Sequence, residues 1–145
     1  METLLFKELG FPILLVNPKM IEIRGHKLPD LNMKTLQDTV FRALIDKPAR
    51  FTGAEVRFVR KHLRVTQKEL ARVLEMANHT VVSQWESKED AVSGMNRSAE
   101  ALLRTWMVTV VNEPERIRGL LEGGFTETLR TEPSGPLSID MAAVA

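Results

Sequence analysis

Residues 65–86 read VTQKELARVLEMANHTVVSQWE, and two amphipathic helices joined by a short turn are legible in them. Thr66-Gln67-Lys68-Glu69 is a capping box: a hydroxyl and a carboxylate three residues apart satisfy each other's orphan amides at a helix start. This helix is expected to end near Leu74. Glu75, Met76 and Ala77 follow, and Asn78 is placed to cap a second helix reaching about Glu86. Val82 and Trp85 stand three residues apart, so a helix that buries both turns His79, Thr80, Ser83 and Gln84 outward. A capped short helix, a turn and a second helix bearing small polar side chains can set one helix into the major groove of DNA.

Similar signals extend on both sides. Thr52-Gly53-Ala54-Glu55 is a second capping box, opening a helix to about Leu63 with Val56, Val59 and Leu63 facing inward. Its other faces carry Arg57, Arg60, Lys61 and Arg64. Arg57 and Arg60 are expected to turn toward the N-terminal segment, and Phe58, outside the inward stripe, toward the preceding helix. Asn32 caps that preceding helix, whose stripe is Leu36, Val40, Phe41 and Leu44. It stops at Asp46-Lys47-Pro48, because the residue before proline is pushed out of the α region. After a polar loop at 87–94, Asn96 or Ser98 begins a helix with Leu102, Leu103, Trp106 and Val110 along its core side. Pro114 fits the first turn of a short helix to about Leu121, closed by Gly123-Gly124.

The first thirty residues read as β. Residues 11–16 and 20–24 are apolar runs separated by the turn formers Asn17-Pro18-Lys19, a hairpin pattern. Residues 3–6 suit a third strand or a helix start. Leu137, Ile139 and Met141 alternate with polar residues, as a strand near the chain end would. The expected architecture is therefore mainly α: a helix-turn-helix bundle with a short N-terminal β-hairpin and helix. It divides into residues 1–49 for dimer or partner contacts, 50–111 for DNA binding, and 112–145 as a short helix and tail.

Composition narrows the chemistry. The 145 residues contain no cysteine, which removes disulfides and thiolate metal sites and fits a cytoplasmic, reducing address. His26, His62 and His79 lack metal-ligand spacing. No metal or cofactor is expected. No apolar run approaches the roughly 20 residues of a membrane span. Glycine-rich phosphate loops, nucleophile elbows and zinc-protease motifs are absent, so no enzymatic activity is expected. Net charge is only +1, but residues 50–72 concentrate Arg50, Arg57, Arg60, Lys61, Arg64, Lys68 and Arg72 against Glu55 and Glu69. A basic middle is a ready footprint for phosphates.

TQKELARVL followed by VVSQWE is similar to the Cro/C1-type (XRE) helix-turn-helix of the lambda-repressor-like fold. More widely, GAEVRFVRKHLRVTQKELA, VSQWE and GMNRSAEALLR resemble the DNA-binding domain of MqsA-type antitoxins over residues 50–111. The zinc module that often precedes that domain is absent here or replaced by the hairpin. The turn is also one residue longer than the family's usual one and lacks its leading glycine.

The resemblance implies a homodimeric transcriptional regulator that represses its own operon from a palindromic operator on double-stranded DNA. In its narrower form the chain is an antitoxin neutralising a small toxin through segments outside residues 50–111, either the hairpin or residues 137–141 adding to a sheet edge on that partner. A phage-type repressor without a toxin, or an interaction module that kept the fold and lost DNA reading, would share these residues. For base reading the candidates are His79, Thr80, Ser83 and Gln84. Glutamine can bond adenine bidentately, and Thr and Ser can bond several base edges. On an isolated helix the same side chains would be an ordinary solvated face, and His79 could instead cap the helix or meet phosphate. For the DNA backbone the candidates are Lys61, Arg64, Gln67, Lys68, Asn78 and Lys88.

Overall fold

The computed structural model describes residues 2–122 and 135–143. The chain forms two compact units, residues 1–40 with 135–145 and residues 41–134. The boundary falls within the first helix, after Val40.

The described residues of the first unit hold five strands in two sheets: β1 (Thr3–Phe6), β2 (Ile13–Val16), β3 (Met20–Ile23), β4 (His26–Pro29) and β5 (Leu137–Asp140). The order β1-β2-β5 makes one sheet and β3-β4 the other. β2 is antiparallel to β1, with Phe6 opposite Ile13, and parallel to β5, with Leu15 opposite Ile139. These four side chains are buried and form the sheet's apolar face. A short 3-10 helix, Met141–Ala143, follows β5.

The expected hairpin of residues 11–16 with 20–24 is not formed. β2 is bonded on both edges by β1 and β5, and β3 turns back on β4 instead. The β3–β4 connection is Arg24-Gly25, both at positive φ (51° and 79°). This is the geometry of the two-residue turns whose twist matches antiparallel strands. Residues 137–140 form β5, which pairs with β2 on one side and is an edge strand of the order β1-β2-β5.

Helices α1 (Met33–Ile45), α2 (Gly53–His62), α3 (Gln67–Val73), α4 (His79–Glu86), α5 (Arg97–Val111) and α6 (Glu115–Glu122) complete the fold. With six helices, five strands and a mixed sheet among the described residues, the architecture is α with β rather than the mainly helical bundle expected. The β content was undercounted because β4 and the β2–β5 pairing were not anticipated.

Short-range signals locate the helices. Both capping boxes close as written: Thr52 Oγ1 accepts from Glu55 N–H and Thr66 Oγ1 from Glu69 N–H, with each glutamate reaching back. Asn32, Asn78 and Asn96 accept from the amides of Thr35, Thr80 and Ala99. The helix stop expected at Gly123-Gly124 lies outside the described residues.

In the second unit α4 packs on both α2 and α3. Gly53, the first residue of α2, sits against the end of α4. The Gly53 and Ala54 amides donate to the carbonyls of Ala91 (3.1 Å) and Glu89 (2.9 Å). Phe58 stacks on His62, centroids 5.8 Å apart, and His62 stacks on Phe41 of α1 at 4.3 Å. The buried side of α5 is Ala99, Leu103, Met107 and Val108 with Glu100 and Arg104. Leu102 and Val110, expected in the core, are exposed.

Candidate nucleic-acid interface

The long turn between α3 and α4 closes α3 without glycine. Glu75 takes the left-handed conformation, φ 58°. Its amide donates to Arg72 O (3.1 Å) and the Met76 amide to Ala71 O (2.8 Å), a Schellman closure. A non-glycine residue there costs on the order of 1 kcal/mol. The extra residue is thus absorbed in the approach to Asn78, where α4 begins.

α4 is held by what it buries. Val82 is fully buried and Trp85 is 5% exposed. Glu86 is buried too, and the Arg60 guanidinium donates to both its oxygens, from Nε at 2.6 Å and Nη2 at 3.0 Å. Gln67 Nε2 donates to the same carboxylate at 3.2 Å. The polar end of α4 is therefore tied to α2 and to the start of α3. Arg57 donates to the Glu86 carbonyl (3.0 Å) and to Glu89 Oε1 (3.0 Å). The Glu89 bond chiefly holds the Arg57 guanidinium above its ordinary pKa, with burial opposing, and holds the Glu89 carboxyl below its own.

The opposite face of α4 presents His79, Thr80, Ser83 and Gln84, all exposed. At spacings i, i+1, i+4 and i+5 they form one polar strip. A cleft of about 490 Å³ beside its N-terminal end is lined by Lys68, Arg72, Met76, Ala77, Asn78 and His79, among others. Lys68, Asn78 and His79 are thus brought together, and Arg72 joins them, a residue not anticipated there although it belongs to the basic run. Lys61 and Arg64 are exposed at the C-terminal end of α2, and Lys88 just beyond α4. None of these three lines the cleft.

Gln67, a candidate for the DNA backbone, is partly exposed and donates its side-chain amide to Glu86. Arg57 and Arg60, expected to face the N-terminal segment, are bonded to Glu86 and Glu89 at and just past the end of α4. Arg50 is buried, with Nη2 on the Met95 carbonyl and Nε 3.1 Å from Glu100. Of the seven cations between residues 50 and 72, Lys61, Arg64, Lys68 and Arg72 stay exposed and form no ion pair among the described residues.

Among the described residues no group of three or more His, Cys, Asp or Glu side chains is placed to share a metal ion. None of the described helices is long and apolar enough to cross a membrane. No family model, curated protein or solved structure matches the chain.

Proposed function

We propose that the chain is a sequence-specific double-stranded-DNA-binding transcriptional regulator, acting in the cytoplasm as a homodimer on a palindromic operator. One observation carries the reading: an outward strip of His79, Thr80, Ser83 and Gln84 on a helix locked from behind by Val82, Trp85 and Glu86. Short side chains at Thr80 and Ser83 let the backbone approach base edges, and Gln84 can bond adenine N6 and N7 together. The exposed cations Lys61, Arg64, Lys68, Arg72 and Lys88 supply phosphate neutralisation. A single helix reads few base pairs, so two copies on half-sites about one DNA turn apart give useful specificity.

Autorepression is the regulatory mode this reading favours. Its narrower form, an antitoxin, rests on the resemblance of residues 50–111 and calls for a small toxin bound elsewhere on the chain.

The test is fluorescence anisotropy on DNA from upstream of the chain's own gene and on a scrambled duplex. Gln84→Ala is expected to weaken binding to the upstream DNA by about 1–3 kcal/mol, the discrimination of one bidentate base contact, while scrambled binding stays unchanged. Equal affinity for the two DNAs, unmoved by Gln84→Ala, would reject base reading by α4.

A further inference from the structure

The cleft between α3 and α4 joins two kinds of surface. Its floor is apolar: Ala71, which is buried, with Met76 and Ala77 from the turn. Its rim is cationic. Lys68 and Arg72 stand one turn apart on α3 and His79 opens α4, all three exposed. Lys68 and Arg72 repel each other at i, i+4, and neither forms an ion pair among the described residues. Glu69 also borders the cleft, but its carboxylate accepts from the Thr66 amide at 3.2 Å.

The volume, about 490 Å³, falls within the roughly 300–1,000 Å³ of small-molecule sites, which are likewise mostly apolar with a few polar groups that fix orientation. A DNA phosphate meeting Lys68 fills only the rim. It brings nothing apolar to lay on Met76 and Ala77.

We propose that this cleft binds a small anion with an apolar body, and that the ligand displaces DNA. The ligand class is a carboxylate, sulfonate or phosphate ester carried on an aromatic or aliphatic group. Its acid group meets the Lys68 ammonium, the Arg72 guanidinium and an imidazole N–H of His79, with the guanidinium able to donate two parallel bonds. Its body covers Ala71, Met76 and Ala77, an apolar burial that a bare ion lacks.

The displacement rests on the DNA reading of α4, whereas the ligand site does not. His79 heads the outward strip, so a ligand seated against it stands between the start of α4 and a groove. Neutralising Lys68 and Arg72 also withdraws two of the exposed cations offered to phosphates. Ligand and duplex then exclude each other, and the regulator releases its operator as the ligand accumulates.

Nitrogen–proton correlation spectra of the full chain test the site, with naphthalenesulfonate as the probe. Saturable shifts are expected at the amides of Ala71, Met76, Ala77 and His79. Arg72→Gln and Lys68→Gln are each expected to weaken binding by roughly fivefold, the upper end for an exposed ion pair. Naphthylmethylammonium keeps the body and reverses the charge, and inorganic sulfate keeps the charge and drops the body. Each is expected to bind at least about tenfold more weakly, a loss of 1.4 kcal/mol or more. In fluorescence anisotropy at fixed ionic strength, saturating naphthalenesulfonate is expected to release the upstream duplex.

No saturable shift, shifts centred away from the cleft, or equal binding of the ammonium or of sulfate would each overturn the ligand site. A duplex that stays bound beside saturating naphthalenesulfonate would overturn the displacement. A chain that binds no duplex ends the DNA reading and the displacement with it, while the spectra still decide the ligand site. The two failures are therefore separately visible.

Discussion

Gly53→Ala is expected to destabilise the second unit by about 3 kcal/mol, the upper end of what overpacking costs, and to weaken DNA binding with it. A Cβ at position 53 would lie 2.4 Å from the Trp85 carbonyl oxygen, 2.8 Å from Glu89 N and 2.9 Å from the Glu86 carbonyl oxygen. All three are backbone atoms, so no side chain can swing aside. Either α2 moves away from the end of α4 or the Glu86–Glu89 backbone shifts. The first course strips the Gly53 and Ala54 amides of the carbonyls they bond, and the second disturbs the helix proposed to read DNA.

Gly119→Ala is the matched control. Gly119 lies in α6 with nothing within 4 Å of a Cβ, so alanine there should stabilise by about 0.5–1 kcal/mol through helix propensity. Urea denaturation of both variants checks the pair. A Gly53→Ala midpoint at or above the wild-type value would show that this contact does not seat α4.

Arg104→Met is expected to cost about 3–5 kcal/mol, the penalty for breaking a buried ion pair from one side. Arg104 is 1% exposed. Its guanidinium donates to the carbonyls of Ile45 (3.1 Å), Lys47 (2.8 Å) and Ala49 (2.8 Å) and to Glu100 Oε2 (3.0 Å). It also lies 4.2 Å from the centroid of the Phe51 ring. Burial pushes its pKa below the ordinary arginine value, with Glu100 opposing, yet a guanidinium stays charged in a protein.

Methionine fills much of the volume but leaves three carbonyls and a buried carboxylate with lost partners. The added change Glu100→Leu should recover only part of the loss. Glu100 also accepts from the Phe51 amide at 3.1 Å and pairs with Arg50. Thermal or urea unfolding of the two single variants and the double variant forms the cycle that measures the coupling. Full recovery in the double variant would mean that the network contributes nothing beyond the Arg104–Glu100 pair.

How much of this was legible before the structure depends on the range of the interaction. The caps at Asn32, Thr52, Thr66, Asn78 and Asn96 bond amides two or three residues away, so sequence spacing locates the first four and narrows the last to Asn96 or Ser98. Val82 and Trp85 are likewise one helical turn apart, and both are buried. β4 left a local trace, the two-residue Arg24-Gly25 turn between Ile23 and His26, which passes unnoticed because arginine seldom takes positive φ. The parallel pairing of β2 with β5 joins the two ends of the chain, and no local pattern encodes which distant strand is chosen.

Charges misled most. Arg50, Arg57 and Arg60 look like Lys61 and Lys68 in sequence, and only their partners Glu100, Glu89 and Glu86, some 26 to 50 positions away, reveal them as paired within the chain. The same blindness placed Leu102 and Val110 in the core. Residue type suggests burial there, but the inner side of α5 was already committed to Glu100 and Arg104.

The most direct measurement for the proposed DNA-reading surface is the salt dependence of binding to the upstream duplex, for the wild type, Lys68→Ala and Lys34→Ala. Lys68 lines the cleft beside His79, whereas Lys34 belongs to α1 and pairs with Asp38 at 3.2 Å. If Lys68 neutralises a phosphate, its loss lowers the magnitude of the log–log slope by about 0.9, while Lys34→Ala leaves the slope at the wild-type value. A slope identical in all three proteins, or no binding to the duplex at any salt concentration, would contradict a DNA contact on this side of α3 and α4.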